Sequence, residues 1–445
     1  MTRRVQKILG LLEPILAAVT LAALGGVVWR LFAQGYLPQP FYFHVDETLM
    51  DLYSTAYWAN NGAAYLTWHS LYPPLSFVFL DIFSIHKCYV QSPALGRQCD
   101  WRSLVAIISC FGLNCWLVFN SYRKSSISAS TSRTIAVCLG LPMLYALERG
   151  NLLIPCFTCF VLGFSDLLKA GWRRWLAMAL AINFKPYLVF SAVPYLARRD
   201  LRWVVGSALL FVAIYGATFV LEGSGSPMEV IANEARYAIG QTDRYFTDLY
   251  YATSYWPLIR LLRAAPTGLR LVDPVAGQAI SLGLEILIRA AQLGAAGCLA
   301  AALFRPAAVD VRRFGALLTA TALTAFTTGS AGYAQIFLFF LIFFEPWRGG
   351  LRIVILVAAY LLCLPIDHAF LPVINGAAHS YLGGRLVTAH FGVSIGQLLR
   401  PGILLVIQFG LIALNLRDSL GARIREDGLG APGDVSSVAG ATANR

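Results

Sequence analysis

Charge is scarce in this chain of 445 residues: 13% of them are charged and 58% are hydrophobic, and the mean hydropathy is +0.63. So low a charge content excludes a soluble multidomain protein and indicates an integral membrane protein. The apolar runs have helical length and contain Gly and Pro, and the ten-residue alternation of a membrane β-barrel is missing. The sequence therefore predicts an all-α polytopic bundle.

A small-residue cleavage site is also missing after the first apolar run, residues 8–32, which follows the basic segment MTRRVQK. We therefore expect a retained anchor with a cytoplasmic N-terminus, in a plasma or inner membrane, and not a signal peptide. The net charge of +12 comes from short Lys and Arg clusters between apolar runs. That is the positive-inside pattern of a protein in a lipid bilayer, and it argues against nucleic-acid binding.

Most of the nine cysteines lie in or beside apolar runs, where small core residues are expected. The C-x-x-C pair of Cys156 and Cys159 has no neighbouring His or second pair that would favour a metal or redox site. Cys88 and Cys99 differ, because both lie in the polar segment HKCYVQSPALGRQCDWR. They can pair if this segment lies in an oxidising compartment; otherwise they stay free thiols.

Lys and Arg clusters recur near residues 123–133, 169–174, 198–202, 305–313 and 348–352, and from 417 onward. Placing all of them in the cytoplasm, with a helical hairpin between successive clusters, gives a consistent topology. We expect about 10–13 transmembrane helices in two modules, residues 1–210 and 211–416, followed by a disordered cytoplasmic tail at 417–445. Residues 33–102 then form one long loop on the outer face.

Two short helices are predicted in this outer loop. The first covers residues 49–59, and the second begins at Pro73, in YPPLSFVFLDIFS. The apolar run of the second is about a dozen residues long, which is too short to span a bilayer. The same topology places ERGN (148–151), NFKPY (183–187), the loop 222–256 and TGSAGYAQ (328–335) on the outer face.

Three carboxylates stand close together in the outer loop: Asp46, Glu47 and Asp51, in HVDETLMDLYSTAYW. Asp51 falls in the first turn of a predicted helix, where the helix dipole stabilises the anion. A carboxylate that stays ionised is available as a general base. Asp51 is therefore the first candidate for a catalytic base, and a solvated loop charge is the alternative for each of the three acids.

Three cations are expected at the same surface: Arg102, Arg149 and Lys185. A cation at the membrane boundary normally has an anionic partner, which is either a nearby acid, such as Asp100 or Glu148, or a phosphate. Carboxylates opposite such cations suit a lipid-phosphate-linked sugar donor. The sugar leaves its phosphate, cations stabilise that leaving group, and a base takes the proton of the acceptor hydroxyl. No nucleotide, and so no phosphate-cradling Gly-rich loop, is needed.

Four short stretches occur in an order and spacing that resemble a known class: MDLYSTAYWA (50–59), YPPL (72–75), RGN (149–151) and KPY (185–187). They are similar to the GT-C class of integral membrane glycosyltransferases. Within that class they are most similar to glycosyltransferase family 87, the polyprenol-phosphate-mannose-dependent mannosyltransferases. The resemblance covers residues 1–210, and beyond them only the hydrophobic profile and the stretches YATSYW and SAGY.

The resemblance implies a GT-C-like helical fold and a hexosyltransferase that acts at the outer face. It also implies a polyprenyl-phosphate sugar donor, a glycan or glycolipid acceptor and a catalytic Asp in the first outer loop, here Asp51. Other branches of the class carry an Asp-Glu pair in this loop. Asp46 or Glu47 could therefore be the base, bind the acceptor or hold a divalent metal, and no other cofactor is expected.

Six residues are candidates for substrate binding or for holding the loop: Tyr72, Arg102, Arg149, Asn151, Lys185 and Tyr187. Tyr72, Tyr187 and also Trp68 would line the sugar or lipid cleft, and interfacial anchoring is the alternative for all three.

Two other functions remain open. A lipid-linked sugar flippase or transporter would need charges in the middle of its spans. The mid-span acids are few, chiefly Glu13, Asp81, Asp166 and Glu285. A protein of the O-antigen ligase or polymerase type would rely on a large outer loop with Arg and His, and the segment 370–396 contains His379, Arg385 and His390.

Overall fold

The computed structural model describes residues 3–62, 64–124, 126–223, 225–240, 256–264, 272–325 and 332–429. Helices dominate these ranges. Those of the first half are α1 (Arg3–Gln34), α2 (Met50–Asn61), α3 (Pro74–Phe83), α4 (Pro93–Cys99), α5 (Trp101–Tyr122), α6 (Ile127–Cys138), α7 (Leu141–Arg149), α8 (Leu153–Phe164), α9 (Gly171–Phe184), α10 (Val189–Ala197) and α11 (Leu201–Glu222).

The second half continues with α12 (Pro227–Gly240), α13 (Trp256–Ala264), α14 (Pro274–Phe304), α15 (Val311–Ala325), α16 (Gln335–Ile342), α17 (Gly350–Leu362), the strands β1 (Ala369–His379) and β2 (Leu386–Ser394), and α18 (Ile395–Leu429). Part of the predicted outer loop 222–256 and residues 328–331 of TGSAGYAQ lie outside the described residues.

Five of the described helices are long and apolar enough to cross a membrane: Gly10–Gln34, Trp101–Tyr122, Leu201–Glu222, Pro274–Phe304 and Ile395–Ser419. The pair α6–α7, bent by 43° at its break, is a sixth span if it counts as one. The exposed faces of the long helices are rich in Leu, Ile, Val and Trp, which suits contact with lipid. This is the architecture of a multi-pass helical membrane protein.

The basic clusters meet at one end of the bundle. We call it the basic end, and it comprises residues 123–124, 164–171, 197–201, 305–311 and 343–350. Asp166 accepts Lys124 Nζ at 3.1 Å and Arg312 Nη2 at 3.0 Å. Glu345 accepts Arg313 Nε at 2.6 Å and Arg352 Nε at 2.8 Å. The ion pairs between these separate loops confirm that several of the clusters share one side.

The opposite end, which we call the loop end, carries the segment between α1 and α5. Both helices predicted there are confirmed as α2 and α3, and α4 is an addition. Pro74 occupies the first turn of α3, where its missing N–H leaves no helical hydrogen bond unmade. Cys88 and Cys99 form a disulfide, with their Cα atoms 5.6 Å apart.

A β-hairpin corrects the prediction of an all-α chain. Strands β1 and β2 pair antiparallel around a turn in which Gly383 and Gly384 have φ values of +80° and +67°. The segment 370–396 was expected to be an irregular loop, but its β-branched residues flanking a Gly-Gly turn favour a hairpin. The hairpin packs on the first outer loop: Gln39 exchanges two side-chain hydrogen bonds with the Gly392 backbone, and Phe43 stacks on Phe391 at 4.5 Å.

Helix α18 also continues past residue 416, where the predicted disordered tail begins. It ends at Leu429, and residues 430–445 lie outside the described part of the chain. Asp418 on this extension contacts Arg313 at the basic end. This ion pair holds the start of the polar segment against the bundle, whereas a disordered tail would make no such tertiary contact.

A buried ion pair joins α1 to α6. Arg133 Nε donates to Glu13 Oε1 at 2.7 Å, and the two side chains are 5% and 6% exposed. The Tyr360 hydroxyl donates to the same Glu13 oxygen at 3.3 Å. This mid-span acid is therefore neutralised within the protein.

Candidate active site

The position of Asp51 depends on an unusual backbone conformation at the start of α2. Leu49, the residue before the helix, has a φ of 63°, in the left-handed region that side chains other than Gly rarely adopt. Its N–H donates to the Glu148 carbonyl at 2.8 Å, which ties the outer loop to the end of α7. This contact holds the strained residue in place and sets Asp51 in the first turn of α2.

The ERGN segment forms the corner between α7 and α8, as the sequence predicts. Gly150 has a φ of +65°, and Asn151 N–H donates to the Ala146 carbonyl at 2.8 Å, which closes α7 as a Schellman-type cap. A Cβ atom at Gly150 would lie 2.8 Å from the Leu52 Cβ. Only Gly fits here, and the tight turn brings Arg149 and Asn151 against α2.

Both flanking residues bind Asp51. Arg149 Nη2 lies 2.8 Å from Asp51 Oδ1, and Asn151 Nδ2 lies 2.8 Å from Asp51 Oδ2. The Arg149 side chain is 12% exposed and that of Asp51 is 22% exposed, so the pair is largely shielded but open on one side. Arg149 Nη1 also donates to the Glu47 carbonyl at 2.7 Å, and its guanidinium lies 4.4 Å from the centre of the Tyr42 ring.

The side-chain amide of Asn151 contacts several polar groups of the site. Its Oδ1 accepts Leu153 N–H at 2.9 Å, which turns Nδ2 towards Asp51. Nδ2 also lies 3.2 Å from both the Tyr72 and the Tyr333 hydroxyl oxygens. Residues far apart in the sequence therefore converge on a single amide.

Lys185 approaches from the break between α9 and α10. The residue before a proline avoids the helical conformation, so α9 ends at Phe184 and Lys185 is extended, with φ and ψ of −141° and 96°. Its Nζ lies 4.6 Å from the centre of the Tyr72 ring. Tyr187, two residues later, packs against the core with its ring 6.3 Å from that of Phe337.

Tyr72 is a hydrogen-bonding group that does not ionise at neutral pH. Burial, and after it the charge of Asp51, raise the pKa of Tyr72 well above its usual value of 10.0. The phenol therefore stays protonated, and it can donate its hydrogen to a ligand while its oxygen accepts from Asn151.

Asp46 and Glu47 lie at the rim of the site. Asp46 is 70% exposed and lies 3.7 Å from Arg97 Nη1, while Glu47 is 51% exposed and lies 3.5 Å from Arg149 Nη1. Among the residues that the structure describes, no group of three or more His, Cys, Asp or Glu side chains could hold a metal ion.

Arg102 does not join the other candidates around Asp51 in the described structure. Its Nη2 donates to the Ile82 carbonyl at 3.0 Å, near the end of α3, and the side chain lies at the rim of an apolar groove between α3 and α5. Its expected partner Asp100 instead caps α5, accepting the backbone N–H groups of Arg102 and Ser103 at 3.2 Å each.

Sequence reasoning missed several residues that build the site. Tyr333 belongs to the SAGY stretch, which was placed on the outer face but given no role. Tyr381, at the tip of the hairpin, shares a short hydrogen bond with Thr48 and donates to the Tyr42 carbonyl at 3.3 Å. The sequence signal that could have identified both residues is a tyrosine beside a turn that is predicted on the outer face.

Comparison with protein-family models, with curated proteins and with solved structures gave no match to this chain.

Proposed function

We propose that the protein is a membrane glycosyltransferase that transfers a hexose, mannose by resemblance, from a polyprenyl-phosphate donor to a glycan or glycolipid acceptor. One observation carries the proposal: Asp51 is held by Arg149 and Asn151, and the Lys185 ammonium lies over the ring of Tyr72, whose hydroxyl contacts the same Asn151 amide. A shielded carboxylate and a separate cation therefore lie on either end of one small network of side chains, and these are the two groups that transfer of a sugar from a phosphate requires.

In this reaction the acceptor oxygen forms a bond to the anomeric carbon while the bond from that carbon to the phosphate oxygen breaks. The electron pair leaves with the phosphate, and the acceptor proton passes to Asp51 and then to solvent. A single displacement of this kind inverts the anomeric configuration. Each Asp51 oxygen makes one short hydrogen bond to the protein, which leaves acceptor capacity for the incoming proton.

We assign roles to the remaining side chains from their contacts and their exposure. Arg149 is committed to Asp51 and to the Glu47 carbonyl, so we assign it a positioning role. Lys185 is assigned to the leaving phosphate, and Tyr72, which stays protonated, to a hydrogen bond with the sugar or the phosphate. Asp46 and Glu47 are more exposed than Asp51, which favours acceptor binding over proton transfer for these two.

The polyprenyl chain would occupy the groove between α3 and α5. This groove has a volume of about 410 Å³ and is lined by Phe79, Phe83, Trp101 and Val105, with Arg102 at the rim. Its walls are apolar, and an exposed guanidinium at headgroup level suits a lipid phosphate passing towards the site.

The disulfide supports placing this site on the outer, periplasmic face. Disulfides persist in oxidising compartments, and Cys88 and Cys99 lie at the loop end, opposite the basic end. The positive-inside rule assigns the basic end to the cytoplasm. Both arguments give the orientation that the resemblance to GT-C enzymes implies, and the count of 10–13 spans requires the shorter helices α8, α9, α10, α16 and α17 to cross as well.

The alternatives fit the contacts less well. A flippase needs a mid-span acid that can exchange partners, but Glu13 is locked to Arg133, and Glu285 lies 3.1 Å from Arg263. For a ligase, His390 bonds to Asn375 and His379 to the Gly384 carbonyl, so both rings serve the hairpin itself.

The direct test is an assay of the purified protein with polyprenyl-phosphate mannose and a panel of glycolipid acceptors. Asp51→Asn should lower turnover about 100-fold or more. Glu47→Gln is the matched comparison, because it also loses a contact to Arg149; as a proposed acceptor-binding variant it should raise KM for the acceptor and leave kcat near the wild-type value. Near wild-type turnover of Asp51→Asn, with a wild-type product, would rule out Asp51 as the base.

A further inference from the structure

A second cavity lies at the basic end, away from Asp51. It has a volume of about 690 Å³, and its lining includes Phe164, the last residue of α8. Helix α8 begins beside Asn151 and has 12 residues, so it spans roughly 18 Å at 1.5 Å per residue. The cavity is therefore separate from the candidate active site, and the proposed reaction does not use it.

Two arginines supply positive charge to this cavity. Arg174 donates from Nε to the Gly163 carbonyl at 3.2 Å and from Nη2 to the Tyr195 hydroxyl at 3.3 Å. Arg198 is exposed at the end of α10. In the described part of the chain, neither guanidinium has a carboxylate within 4.0 Å.

The acids that line the same cavity are already engaged. Asp166 binds Lys124 and Arg312. Asp200 Oδ1 caps α11 by accepting Trp203 N–H at 3.2 Å, and Asp310 Oδ1 accepts the backbone N–H of Arg312 at 3.0 Å. Asp166 thus has two cationic partners and the capping bonds hold Asp200 and Asp310 in place, while neither Arg174 nor Arg198 forms an ion pair with a described carboxylate.

One buried donor in the wall also lacks a partner. Trp203 stacks on Tyr195 with ring centres 3.7 Å apart, and it is 5% exposed. Its indole Nε1 has no hydrogen-bond partner among the residues that the structure describes. This nitrogen is itself buried, so the stacked pair forms an aromatic wall of the cavity, and the exposed donor that a ligand can reach is Arg198.

We propose that this cavity binds the phosphate group of an anionic ligand through Arg174 and Arg198. Guanidinium groups suit phosphate because they donate paired hydrogen bonds along with their charge. Basic pockets between helices at the cytoplasmic side are typical sites for anionic phospholipid headgroups. A soluble phosphate ester would present the same chemistry, and the experiment separates the two sources.

The test is native mass spectrometry and thermal unfolding of the purified full-length protein. One arm adds phosphatidylglycerol against phosphatidylcholine, and the other adds inorganic phosphate against chloride at equal ionic strength. We expect a selective increase in bound ligand and in unfolding midpoint in one arm. Arg198→Gln should weaken that binding about tenfold, as loss of a charged hydrogen-bonding partner does.

Two further variants make the result specific. Arg174→Gln removes the second guanidinium of the cavity, and it should weaken binding about tenfold. Arg173→Gln removes an equal charge from the adjacent position, where Arg173 lies 5.5 Å from the Trp172 ring and does not line the cavity. Equal weakening by Arg173→Gln and Arg198→Gln, or no anion-selective effect in either arm, would overturn the proposal.

Discussion

The Lys185 ammonium lies 4.6 Å from the centre of the Tyr72 ring, and the hydroxyl of that ring lies 3.2 Å from the Asn151 amide that holds Asp51. One aromatic side chain therefore connects the candidate phosphate-binding cation to the candidate base. In our proposal the sugar binds beside this ring, within reach of both groups.

Replacing Lys185 tests the assignment of the leaving-group cation. Lys185→Met should lower kcat/KM for the polyprenyl-phosphate donor about 100-fold, because charge develops on the departing phosphate, and Lys185→Arg should retain more activity than Lys185→Met. Initial rates across donor concentrations measure this effect. Lys87→Met is the control, since it removes one exposed charge from the outer loop that carries Asp51. Equal rates for the two Met variants would contradict the assignment.

Tyr72 should contribute a hydrogen bond and no ionisation. Because burial and Asp51 raise its pKa above 10.0, the phenol stays neutral from acid pH up to at least pH 10. Tyr72→Phe should therefore lower kcat about fivefold, as loss of one hydrogen bond does, and leave the pH dependence of kcat/KM between pH 5 and 9 unchanged. Loss of an ionisation from that profile would instead identify Tyr72 as a titrating group.

Gly150 and Gly223 form a matched pair for testing the corner between α7 and α8. Both have positive φ, +65° and +66°, but a Cβ at Gly150 would meet Leu52 at 2.8 Å, whereas none of the described atoms lies within 4 Å of a Cβ at Gly223. Gly223→Ala should cost about 1–2 kcal/mol of backbone strain. Gly150→Ala should cost more and also lower activity, because Arg149 and Asn151 move away from Asp51. Thermal unfolding together with the transfer assay measures both effects, and equal behaviour of the two variants would disprove the steric argument.

Local signals in the sequence were enough to predict much of the site. The Pro residues of YPPL and KPY and the Gly of RGN fix where helices begin and end, and α3, the α7–α8 corner and the α9–α10 break follow from them. The partners were not predictable. Arg149 was expected beside Glu148 or a phosphate, but it binds Asp51, which is 98 positions away. Pairing over such separations depends on how the helices pack, and a single sequence does not encode this in a local pattern.

The hairpin was not predicted although the sequence contains a local signal for it. Its polar residues and histidines favoured a loop with chemistry of its own, while the alternation around the Gly-Gly turn was overlooked. Burial of Phe43 and Phe391 on each other is a tertiary contact, and it explains why the segment is ordered against the first outer loop.

Tyr381 should couple this hairpin to the active site. Its hydroxyl contacts Thr48, three positions before Asp51, and the Tyr42 carbonyl, beside the ring that faces Arg149. Tyr381→Phe should lower kcat severalfold with little change in the unfolding midpoint, since one hydrogen bond is worth about 1 kcal/mol. Leu382→Ala, at an exposed neighbour, is the control. Unchanged kcat in Tyr381→Phe would show that the hairpin does not influence the position of the acidic loop.

Variants of the Glu13–Arg133 ion pair test whether Glu13 has a structural role or a role in transport. Removing one partner strands the other charge inside the bundle, so Glu13→Gln and Arg133→Met should each cost about 3–5 kcal/mol of stability. The double variant Glu13→Leu, Arg133→Met removes both charges, and buried pairs replaced by apolar residues are often neutral in stability. We therefore expect the double variant to unfold near the wild-type temperature and to keep transferase activity. A transporter that uses Glu13 would lose function in the double variant although its fold is restored, and that result would favour the flippase alternative.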